Sequence, residues 1–110
     1  MTASISVRFR IGTCHGTVLD FNRHGITIEL TQRLPMHKPL FVNLRYGRFD
    51  TEAIVATAHN CHALDAGHGY RCGIRFRTES DLQLDREEVE LALQKVEADL
   101  AASGVRAIAT

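Results

Sequence analysis

Six consecutive residues, Asp20-Phe21-Asn22-Arg23-His24-Gly25, gather a carboxylate, an amide, a guanidinium, an imidazole and a glycine. Such a set can hydrogen-bond a polar ligand and hold an anion. It can equally shape a turn, because Asp and Asn side chains bond nearby backbone amides and glycine admits positive φ. Read locally, a plain strand connection is the favoured reading.

A second group with chemical potential is Cys14-His15, His59-Asn60-Cys61-His62, His68 and Cys72. None of these spacings is the CxxC or HxxxH type that marks zinc. Three cysteines, odd and scattered, do not form a disulfide framework, so reduced thiols are expected. Strict alternation puts His59 and Cys61 on one strand face and His62 on the other. Cys72 falls in phase with Tyr70, Ile74 and Phe76 as a small core residue. No metal ligand is expected from this set.

The third group is cationic. Arg8 and Arg10 share one strand face, and Arg71, Arg75 and Arg77 share another. They could converge on an anion, but alternating strands must put something polar outside. The favoured reading is a solvated face paired with acids such as Glu29, Asp50 and Glu52. Arg23, inside the turn, is the best placed of the arginines to meet an anionic ligand. No GxSxG, phosphate-binding loop or paired carboxylates with a placed partner is present, so the chain does not read as an enzyme.

The elements that must position these groups are legible in the apolar pattern. Ile5-Ser6-Val7-Arg8-Phe9-Arg10-Ile11 alternates with period two, and Gly12-Thr13 reads as the turn after it. His15 to Phe21 is a second strand, and Gly25 to Leu30 a third, with Ile26, Ile28 and Leu30 on one face. Thr31 to Pro39 holds both prolines and reads as a connector. Leu40, Val42, Leu44 and Tyr46 phase a fourth strand, and Tyr46-Gly47-Arg48 a hairpin connection. A long strand from Thr51 to His62, the loop Leu64 to Gly69 and a strand from Tyr70 to Phe76 complete the set. At Ser80 the period changes. Ser80-Asp81-Leu82-Gln83 fits a capping box, acids follow it, and Val89, Ala92, Leu93, Val96 and Leu100 form a helical stripe. Leu91 lies off that stripe, and Gly104 is a plausible C-terminal stop. The pattern predicts a mainly β fold. Six antiparallel strands, about 5–77, curl into a barrel that removes its own edges, followed by one helix, about 81–103, that needs an apolar surface to cover.

Length and composition bound the rest. At 110 residues, 45% of them hydrophobic, one domain covering 1–110 is expected. Thirteen basic and thirteen acidic residues give no net charge, which argues against a DNA or RNA binder. With no tryptophan and two tyrosines there is no stacking platform for single strands. No apolar run is long enough to span a membrane, and no signal-peptide core is found near the start, so a cytoplasmic protein is expected.

In order, these segments resemble the PilZ domain family. Gly16-Thr17-Val18-Leu19-Asp20 leads into Asp20-Phe21-Asn22-Arg23-His24-Gly25 where that family has a strand running into [D/N]xSxxG. Leu40 to Tyr46, the long strand from Thr51, and Tyr70-Arg71-Cys72-Gly73-Ile74-Arg75-Phe76 followed by a helix match the remainder. The resemblance runs from about Val7 to Leu100. It implies a six-stranded antiparallel barrel with a C-terminal helix and a non-catalytic bacterial receptor for the second messenger cyclic di-GMP. The ligand is then held by an RxxxR segment before the first strand and by the [D/N]xSxxG turn. The candidate cyclic di-GMP contacts are Asp20, Asn22, Arg23 and Gly25, with Arg8 and Arg10 as non-standard arginines.

Two departures set the functional expectation. Asn22 stands where the family has serine, and no RxxxR precedes the first strand; the residues there are Met1 to Ser6. Charge-assisted contacts to phosphate contribute about 1.5–3 kcal/mol each. Losing two weakens binding by roughly two to four orders of magnitude. Weak or absent cyclic di-GMP binding follows, in a module acting through a protein partner or self-association. Family members lacking the arginine motif serve such contacts in motility, adhesion or pilus regulation. The alternatives are a working cyclic di-GMP receptor that uses Arg23 or Arg8 and Arg10, and a small redox- or metal-responsive protein using the Cys/His set. No cofactor is expected, and cyclic di-GMP is the candidate ligand.

Overall fold

Apolar and polar residues alternate along most of the strand segments, and the alternation gives the sheet an apolar face to bury. The computed structural model describes residues 3–9, 12–46 and 49–102, with residues 3–9, 12–14, 49, 66, 101 and 102 described as backbone only. The strands are β1 (Ala3–Phe9), β2 (Gly12–Asn22), β3 (Gly25–Leu30), β4 (Leu40–Tyr46), β5 (Phe49–Ala63) and β6 (Tyr70–Phe76). The six strand-to-strand ladders are antiparallel. The order β1-β2-β3-β6-β5-β4 returns to β1, so the sheet is a closed barrel and none of the described strands presents a free edge.

The interior follows the predicted phases. Ile26, Ile28 and Leu30 of β3, Leu40, Val42, Leu44 and Tyr46 of β4, and Cys72, Ile74 and Phe76 of β6 are all buried. Gly12 and Thr13, expected as a turn, instead open β2; Arg10 and Ile11, expected to end the first strand, lie outside the described residues. Gly47 and Arg48 are likewise outside them, between Tyr46 and Phe49, which pair at the strand ends.

Three register shifts interrupt the ladders, and each resets which residues face inward. In β2 the shift falls between Val18 and Asp20. Leu19 is left exposed, while Val18 packs against the core and Phe21 is buried. In β5 the first shift involves Ala53, whose φ is 55°. Its N–H donates to Asn43 Oδ1 at 2.8 Å, the kind of side-chain bond that stands in where a bulge disrupts the ladder. The second shift in β5 falls between Ala58 and Asn60 and makes His59 the extra residue. Ala58 is buried and Cys61 packs against the core, three positions apart rather than two. The expectation that His59 and Cys61 share a face is therefore corrected: His59 and His62 are exposed.

The helix, α1 (Arg86–Ala102), begins later than the predicted 81. Gly104, its proposed stop, lies outside the described residues. Asp85 precedes the helix at φ 52°, and its carbonyl accepts the first helical bond from Val89 N–H. Val89, Leu93, Val96 and Leu100 are buried against the barrel as the stripe predicts. The predicted capping box does not form. Ser80 makes a local turn, its Oγ accepting from Leu82 N–H at 3.1 Å. Gln83 turns into the barrel wall instead. Its Oε1 accepts from Val55 N–H at 2.8 Å, and its Nε2 donates to Leu84 O at 2.8 Å and Ala53 O at 3.3 Å. A side chain only 8% exposed thus has all its polar atoms engaged. Anchoring Gln83 inward leaves its neighbours Leu82 and Leu84 exposed.

Candidate functional site

The segment that raised the question of a ligand is the connection between β2 and β3. Asn22 pairs with Gly25 across a two-residue loop, Arg23-His24. Two-residue hairpins favour turns with positive φ, which match strand twist. Neither Arg23 nor His24 has positive φ, so this loop is held by other means.

The first is Asn22. Its Oδ1 accepts from His24 N–H at 2.6 Å and from Gly25 N–H at 2.9 Å. This is the Asx-type capping that makes Asn a turn residue. The second is β6, whose Phe76 N–H donates to His24 O at 2.9 Å, with the Phe76 ring 6.0 Å from that of Phe21. The third is α1. Glu97 places one carboxylate oxygen 2.8 Å from Arg23 N, as its acceptor, and the other 3.2 Å from Arg23 Nε. Three successive backbone N–H groups, at 23, 24 and 25, therefore converge on oxygens of the chain itself. Runs of N–H of this kind otherwise suit anions.

Gly25 is required for a different reason from the one expected. Its φ is not positive. A Cβ at this position would lie 2.5 Å from Ile74 O of β6, so the glycine permits close backbone approach rather than a left-handed turn. Asp20 pairs with Thr27 in the β2–β3 ladder and is half-buried. Among the described residues nothing bonds its carboxylate. Arg10 and the side chain of Arg8 lie outside the described residues. The predicted site residues Asp20, Asn22, Arg23 and Gly25 are thus brought together, and Glu97 joins them unannounced. A helix acid on a polar face carries no sequence signal that separates it from a solvated one.

Among the described residues, several arginines outside the turn pair with acids of the chain itself. Arg71 forks onto Glu29 Oε2, with Nη2 at 2.6 Å and Nε at 3.2 Å, as the outer-face reading anticipates. Asp50 pairs with Arg45 at 3.1 Å, and Arg77 with Glu79. The Glu79 carboxyl is held below its usual pKa, chiefly by a hydrogen bond at its own backbone and then by Arg77, against the opposing effect of burial.

Two of the three cysteines correct the expectation of reduced thiols. Cys61 and Cys72 stand directly opposite each other on β5 and β6 and are joined as a disulfide. Among the described residues no group of three or more His, Cys, Asp or Glu is arranged to hold a metal ion. Nor is any helix among them long and apolar enough to cross a membrane.

No curated protein and no solved structure matches the chain. A sequence model of the PilZ domain does, over residues 1–106. It spans the whole barrel and the helix that reaches the Arg23 turn, and the chain belongs to the PilZ domain family of cyclic di-GMP-binding signalling modules.

Proposed function

We propose that this PilZ domain is a non-catalytic signalling module that acts through protein contacts and binds cyclic di-GMP weakly or not at all. The observation that carries the reading is Glu97. Its carboxylate takes the Arg23 backbone N–H and guanidinium together, the two donors of the turn best suited to a phosphate. A ligand phosphate would have to displace a carboxylate already bound within the chain. Asn22 is committed as well, since its carbonyl oxygen serves His24 and Gly25. Exposed leucines favour protein contacts: Leu84 is 75% exposed, and Leu82 and Leu91 are each 51% exposed.

A second reading, a working cyclic di-GMP receptor, is favoured by one observation, the Asp20 carboxylate with no partner among the described residues. Calorimetric titration separates the two. The first reading expects no heat from cyclic di-GMP at protein concentrations of roughly tens of micromolar. Micromolar binding that is abolished by Asp20→Ala or Arg23→Ala would establish the receptor instead.

A further inference from the structure

We propose that Cys61 and Cys72 form a redox modification site, a reversible dithiol–disulfide couple that fastens β5 to β6 and exchanges with small-molecule disulfides. The register makes the pair. Ala58 faces Ile74, and without the extra residue His59 the ladder would set Asn60 opposite Cys72. The bulge moves the frame by one, so that Asn60 meets Gly73 and Cys61 meets Cys72. The two Cα atoms are 4.1 Å apart, the short spacing of directly opposed antiparallel residues whose side chains lie closest. The bulge is itself secured, because Asn60 Oδ1 accepts from Gly73 N–H at 2.9 Å. A Cβ on Gly73 would meet that amide at 2.9 Å, so both residues that flank the pairing fit this register.

Accessibility gives the exchange a direction. Cys72 is 0% exposed, whereas Cys61 is half-buried near the loop end of the β5–β6 pair. The thiolate is the attacking species, and access governs which sulfur reacts. The Cys61 thiolate attacks one sulfur of a disulfide such as glutathione disulfide, forming a mixed disulfide and expelling one thiolate. Cys72, as thiolate, then attacks Cys61 Sγ and expels the second. Two electrons pass from the protein dithiol to the small disulfide. The two protons lost by the cysteines end on the two small thiols. A reducing thiol reverses both steps, entering again at Cys61. The couple lies outside the Arg23 turn and stands whether or not that turn binds a nucleotide.

The test uses the full chain carrying Cys14→Ser, leaving these two thiols, equilibrated in buffers of glutathione and glutathione disulfide. Peptide mapping after alkylation is expected to find Cys61 linked to Cys72 in oxidising buffer and both alkylated after dithiothreitol under native conditions. The melting temperature is expected to fall by about 10 °C on reduction. With Cys61→Ser added, it should not respond to the buffer. Two thiols that stay fully alkylatable in glutathione disulfide would overturn the proposal. So would a link that survives dithiothreitol in the folded protein.

Discussion

At the scale of single residues, Asn22 holds the β2–β3 turn through one side-chain oxygen. Serine can cap a turn through its hydroxyl, and Asn does so through a carbonyl oxygen that here receives two N–H groups. Asn22→Ala removes that acceptor and is expected to lower unfolding free energy by about 1–2 kcal/mol. Asn22→Ser should recover at least half of the loss. Urea unfolding of the three proteins checks both values. The role of this residue was readable from local sequence, because Asx capping acts over two or three positions. Glu97 was not readable: its partner Arg23 lies 74 positions away, and the acids of an exposed helix face look alike until the helix is docked.

At the scale of elements, strands were legible where alternation is unbroken and misread where it is not. β3, β4 and β6 keep period two, and their inward residues followed directly. β5 carries two register shifts, at Ala53 and at His59. A period-two reading cannot cross a bulge without losing phase, which is why the Cys61–Cys72 pairing was hidden. The helix start was misplaced for a related reason. Ser80 and Gln83 have capping-box spacing, but the bulge at Ala53 and the neighbouring Val55 N–H offer Gln83 partners on β5. Tertiary hydrogen bonding therefore overrides a local signal. Gln83→Leu leaves the buried Val55 N–H without its acceptor, so it should destabilise the protein by about 1–3 kcal/mol. Faster amide exchange is expected at Val55. A change within about 0.5 kcal/mol, with Val55 still protected, would show that this anchor is dispensable.

At the scale of the whole molecule, barrel closure, helix stripe and turn act as one arrangement. The order β1-β2-β3-β6-β5-β4 brings β6 beside β3, so Phe76 can reach His24. The stripe from Val89 to Leu100 seats α1 on the barrel and delivers Glu97 to Arg23. The fold was legible because the apolar pattern and strand count constrain it. The state of the site was not, because it depends on where the helix carries one carboxylate. The central claim is that the chain's own oxygens occupy the donors of this turn. The most direct measurement follows the backbone amide resonances of Arg23, His24 and Gly25 during titration with cyclic di-GMP. The account predicts that all three stay in place under ligand excess. Saturable shifts of these amides in the wild-type protein, with Arg23 N–H exchanging Glu97 for the nucleotide, would contradict it.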